Sequence, residues 1–180
     1  MYLQGRRAMG ISIHTGWGAC VVVGGSLTNP EIVAKGVIEI LGDSERFCFH
    51  MAAEMDKAGA EKWIAQVRRK AVRNARRALA PLVARDVAAC AIVAKEGVAG
   101  DLDKILASHS RIHTAEGYFY RDVVRDACTV PVKIIPPASL DPSRLGKLDA
   151  PPWGRDQKLA ALAAWTIISP RSITSRKETS

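Results

Sequence analysis

The chain lacks any apolar run long enough to span a membrane as a helix. Its longest, Val87 to Ala94, has eight residues, against the roughly 20 that such a span requires. Aromatic residues are also scarce, at 6% of 180. The four tryptophans are too scattered for a base-stacking platform: Trp63 and Trp165 fall on core-facing helix positions, and Trp17 and Trp153 are read as core or as cleft lining. Cys20, Cys48, Cys90 and Cys128 show neither metal-knuckle nor redox spacing. They read as buried, reduced thiols, which places the expected compartment in a reducing cytoplasm. No internal repeat or low-complexity block occurs. Arg6 and Arg7 precede an apolar stretch, but no clean small-residue cleavage site follows, which argues against a signal peptide. Residues 1–9 are read as leader-like or tag-like.

The most informative absence is local. No Asp or Glu lies between Lys62 and Arg85, while Lys62, Arg68, Arg69, Lys70, Arg73, Arg76 and Arg77 are all cationic. A solvated helix face ordinarily interleaves acids with bases, because i,i+4 ion pairs stabilise it and like charges oppose it. Something outside this segment therefore compensates the charge. Backbone phosphates of a nucleic acid are one candidate, with Arg69, Arg73, Arg76, Arg77 and Lys70 as the contacts. Acids from neighbouring loops, or from the second subunit of a homodimer, are the alternatives. The formal net charge of +8 favours a polyanionic partner.

What is present reads as one α/β domain over residues 10–168. An apolar strand starts at Gly10, breaks at His14-Thr15-Gly16 and resumes through Cys20 to Val23. Alternation puts Ile11 and Ile13 on one face, Ser12 and His14 on the other. Glu31 to Leu41 reads as the next strand, paired antiparallel through a turn over residues 24–30. Arg46 to Phe49 is expected as a short third strand. Apolar positions at Trp63, Ile64, Val67, Ala71, Ala75, Ala78 and Leu82 predict a long helix, with Gly59 as a break and Pro81 near its end. Val87 to Ala94 reads as a strand buried on both faces. Asp101 predicts a helix start, and Thr114 another running to Ala127. Val130 to Ile135 is a further strand, and Arg155 to Ile168 a final helix. Residues 169–180 form a basic tail expected to be disordered.

This order, with three local motifs, resembles the ribonuclease H-like superfamily and its Holliday-junction resolvase branch. Ile11-Ser12-Ile13-His14-Thr15-Gly16 is similar to the family's first-strand motif, with His14 in place of its aspartate. Ile92 to Glu96 is similar to the fourth strand, which ends in a catalytic glutamate. Ala115 to Pro136 is similar to the helix, Pro-Val strand and proline that follow. The resemblance implies a mixed sheet, antiparallel at first and then parallel, with helices on both faces. It also implies two divalent metals, Mg or Mn, held by carboxylates at strand ends, which activate water against a phosphodiester.

By that resemblance Glu96 and Asp156 are the candidate metal ligands, and His14, Glu96 and Asp156 the candidate catalytic set. An imidazole cannot bridge two metals and suits softer ions, so the site is expected to be degenerate or altered. The expected function is a nucleic-acid-binding protein of this fold. An active metal-dependent nuclease or resolvase is the first alternative, and a scaffold subunit that binds an acidic protein the second. The bland reading makes His14 a hydrogen-bonded sheet residue and Asp156 a helix-start residue favoured by the dipole. His109, His113 and Glu116 would share a helix face and could ligate zinc, but Ser110 and Thr114 suggest a helix break that scatters them. His50 and Glu54 form a further four-residue pair of the kind usually found on surfaces.

Overall fold

A computed structural model describes residues 7–141, 143–144 and 154–168. Five strands, β1 (Arg7–His14), β2 (Trp17–Gly25), β3 (Pro30–Glu39), β4 (Val87–Val93) and β5 (Val132–Ile135), form one sheet in the order β3-β2-β1-β4-β5. β1–β2 and β2–β3 pair antiparallel, whereas β1–β4 and β4–β5 pair parallel. Connection length explains the change. A tight turn at Thr15-Gly16 can only reverse the chain, whereas β4 and β5 are reached through helical crossovers. Gly16 holds a positive φ of 87°, and its carbonyl accepts the Ile40 and Leu41 amides, so this turn also fixes the exit of β3.

The helices are α1 (Cys48–Ala52), α2 (Lys57–Val83), α3 (Leu102–Leu106), α4 (His109–Ala127) and α5 (Arg155–Ile167). They cover both faces of the sheet. Met9, Ile11, Cys20, Val22, Cys90 and Ile92 pack in one core with Val67 and Leu79 of α2 and Val123 of α4. Ala8, Val21, Val23, Ala91 and Val93 pack in the other with Ala160 to Trp165 of α5. The strand alternation anticipated for β1 is what divides these two cores. Gly10 is the closest approach between layers: a Cβ there would lie 1.8 Å from the Ala160 carbonyl oxygen. α5 therefore crosses β1 in direct contact with its backbone.

Four local expectations are corrected. Residues 46–49 are not a strand; Cys48, Phe49 and Ala52 are buried on one turn of α1, the spacing of a helix rather than a strand. α2 runs unbroken through Gly59, because the Asp56 side chain caps the helix by accepting the Gly59 amide at 2.7 Å; the glycine belongs to the first turn. α4 is likewise one helix from His109, with Ser108 at its N-cap position. The Thr114 hydroxyl donates to the Ser110 carbonyl within the helix, so it satisfies itself there and caps nothing. Finally, β1 begins at Arg7 rather than Gly10, with Ala8 and Met9 buried in the sheet. Trp153 and the tail 169–180 lie outside the described residues.

Candidate functional site

Parallel pairing brings the C-terminal ends of β1 and β4 side by side, with Ser12 opposite Val93. A cleft of about 470 Å³ opens there, lined by His14, Thr15, Lys95, His113, Tyr118 and Pro137 among others. The chain leaving β4 is held by α4. The buried Arg121 guanidinium donates to the Lys95 carbonyl at 2.9 Å and to Asp122 at 2.8 Å, and stacks over Tyr118 at 4.7 Å. The Tyr118 hydroxyl in turn donates to the Glu96 carbonyl at 3.2 Å. Neither Arg121 nor Tyr118 stood out in the sequence, where they are two ordinary positions of an amphipathic helix.

His14 and Asp156, 142 residues apart, meet at 2.7 Å between Nε2 and Oδ1. The same Oδ1 accepts from the Ser12 hydroxyl at 3.1 Å. Asp156 sits in the first turn of α5, where the helix dipole favours its charge. The His14 ring stacks on Trp17 at 4.5 Å and 10° between planes, which places Trp17 against the site. Glu96 lies on the exposed stretch after β4. Among the described residues, the one set of three His, Cys, Asp or Glu side chains with ligand atoms within 4.8 Å of one another is His50, His109 and His113. His14, Glu96 and Asp156 thus do not close to that distance as a trio. As a cradle for two hard octahedral cations the donors fit poorly: one carboxylate oxygen is already shared by a hydroxyl and an imidazole, and an imidazole has a single lone pair to offer.

No family model and no curated protein matches the chain. Among solved structures it is similar to Thermus thermophilus RuvC in complex with Holliday junction substrate, at 14% identity and a TM-score of 0.55, over 89% of this chain and 91% of that one. A second structure of Thermus thermophilus RuvC superposes at 13% identity and a TM-score of 0.47, covering 89% and 92%. The fold is ribonuclease H-like. At this level of identity the likeness concerns the backbone arrangement alone.

On α2 of this fold, Ala60, Val67, Ala71, Ala75 and Leu79 are buried and the cations face outward. Some are neutralised from nearby. Lys70 pairs with Glu45 at 2.6 Å, and Arg68 with Asp126 at 2.5 Å; Arg76 donates to the Asp126 carbonyl at 3.2 Å. Arg69, Arg73 and Arg77 are exposed, and among the described residues none of the three has an ion-pair partner. They lie at four-residue steps, which aligns them along one side of the helix. Neighbouring acids thus offset part of the charge, and a row of three guanidiniums faces solvent.

The continuity of α4 brings together residues that a break would have scattered. His109 and His113 stand one turn apart, with their Nε2 atoms 3.0 Å from each other. His50 of α1 joins them, its ring centroid 5.3 Å from His109 and 4.8 Å from His113. Its partner is not Glu54 but Glu116, whose Oε1 lies 2.9 Å from His50 Nδ1. Glu116 is 1% exposed, unusual for a carboxylate unless it is partnered. Burial and the Glu116 charge push the nearby Cys48 thiol up to about 12, so Cys48 stays protonated at neutral pH.

Proposed function

We propose that this chain is a ribonuclease H-like nucleic-acid-binding protein whose strand-end metal nuclease site is degenerate or altered. The observation that carries the reading is the row formed by Arg69, Arg73 and Arg77, exposed on a helix with no acid between Lys62 and Arg85. Three aligned guanidiniums repel one another in water, and a polyphosphate backbone relieves that repulsion while releasing its own counterions. Such contacts hold a nucleic acid without reading its sequence. A fold neighbour was solved with a Holliday junction substrate, which makes branched DNA the first ligand to try.

The altered-site reading is supported by the chemistry at the ends of β1 and β4. His14 is engaged with Asp156 and Trp17, and His14 and Asp156 do not form a group with Glu96 in which all ligand atoms lie within 4.8 Å of one another. In this reading the dyad ties β1 to α5 instead of assembling two metals. The test is direct. Labelled four-way junction, duplex and single-stranded DNA and RNA are mixed with the protein, with and without manganese or magnesium. Binding without cleavage is the expected result. Cleavage that requires the metal and disappears in Glu96→Gln and Asp156→Asn would establish the nuclease reading instead. Retention of an acidic protein with no affinity for any nucleic acid would establish the scaffold reading.

A further inference from the structure

Three of the chain's four histidines converge at one place, from positions 50, 109 and 113 on two different helices. We propose that His50, His109 and His113 form a binding site for a single zinc-type divalent ion, with Glu116 as the positioning residue behind it. This site is separate from the carboxylate site implied by the fold and does not depend on nucleic-acid binding.

The geometry fits the metal. A tetrahedral zinc with Zn–N bonds of about 2.05 Å places two ligand nitrogens about 3.3 Å apart. His109 and His113 Nε2 already stand at 3.0 Å, and each of the three histidines offers a ring nitrogen within 4.8 Å of the other two. Small side-chain rotations of two exposed histidines close the remaining gap. The ligand set is three neutral imidazoles with no carboxylate among them, which suits zinc rather than magnesium. Three histidines leave a fourth position for water.

Glu116 supplies what a histidine site requires behind its ligands. Its buried carboxylate accepts from His50 Nδ1 at 2.9 Å, which fixes the tautomer and leaves Nε2 with the lone pair. A carboxylate behind a ligating histidine orients the ring and raises its basicity. The arrangement also accounts for the burial of Glu116, whose carboxylate is stabilised by the imidazole N–H and, with metal bound, by the cation beyond it.

The test uses the full chain without a histidine tag, stripped with a chelator and then titrated with Zn²⁺ against a chromophoric competitor. Co²⁺ provides the spectroscopic readout. About one equivalent of zinc per chain is expected, with the intense visible bands of tetrahedral cobalt. His109→Ala and His113→Ala, both at exposed positions and checked for folding by circular dichroism, should abolish both signals. Glu116→Gln should retain the stoichiometry and weaken affinity at least about tenfold. Failure to bind zinc, or binding unchanged in His109→Ala and His113→Ala, would overturn the site. An unchanged affinity in Glu116→Gln would remove the positioning role. Loss of nucleic-acid binding in α2 variants leaves these signals untouched, so the two proposals fail separately.

Discussion

Gly10→Ala is the perturbation that most sharply tests how the sheet and α5 fit together. An alanine in place of glycine within an open strand stabilises a protein by about 0.5–1 kcal/mol, because glycine loses more freedom on folding. Here the added Cβ would fall 1.8 Å from the Ala160 carbonyl oxygen and 2.9 Å from the Ala164 amide nitrogen. Both are backbone atoms of α5, so no rotamer change relieves the clash and the helix has to lift from β1. That helix buries Leu162, Trp165 and four alanines, Ala160, Ala161, Ala163 and Ala164, against the sheet. Overpacking of this kind costs about 3 kcal/mol, or about 6–12 °C in Tm for a chain of this size. Differential scanning calorimetry of the two proteins measures it. The His14–Asp156 contact should loosen along with the helix, visible as a change in the His14 ring signals by NMR. A variant as stable as the parent, or more stable, would show that α5 does not lie where described and would refute the argument for the site it positions.

Two further predictions concern buried groups. Burial pushes Cys20 and Cys48 up to about 12, above the ordinary thiol value near 9, so the unfolded chain releases these protons first. Stability should be fully present well below pH 9 and fall as the pH rises through 9 towards 12, by about 1.4 kcal/mol per thiol at pH 10. Urea melts at pH 8 and pH 10 measure this, and Cys48→Ala should flatten the decline; a slope unchanged by that substitution would contradict it. Arg121→Met should cost about 2 kcal/mol, since it leaves the Lys95 carbonyl without its donor and the Asp122 carboxylate with only the longer pairing to Arg125 at 3.3 Å. A loss below about 0.5 kcal/mol in the same melts would show that Arg121 does not secure the exit of β4.

The features legible in the sequence were those written in local periodicity. The alternation of Ile11, Ser12, Ile13 and His14 sorted β1 into two faces, and the continuous apolar run of β4 announced burial on both. Asp101 marks a helix start in the sequence, and its side chain accepts the Lys104 amide. Capping is ambiguous in sequence where one residue type has two uses. Thr114 and Gly59 look like punctuation but are satisfied inside their helices. At the site, the spacing of His109, His113 and Glu116 was visible, but His50 lies 59 residues before the first of them and on another helix, so no local pattern could join it to the group. The Arg121–Tyr118 clamp on the β4 exit is hidden for a different reason: its contacts to that segment are the Lys95 and Glu96 backbone carbonyls, which carry no sequence signal.

The salt dependence of nucleic-acid binding tests the central claim most directly. Each phosphate neutralised by a side chain contributes about −0.9 to the slope of log K against log salt for duplex DNA. The parent protein should show a steep slope, and Arg69→Gln/Arg73→Gln/Arg77→Gln combined should reduce its magnitude by about 2.7. The folded state should be intact, because all three side chains are exposed and lack ion-pair partners among the described residues. A triple variant with the parent's affinity and slope would contradict the account, since phosphate binding would then lie elsewhere on the molecule or not exist.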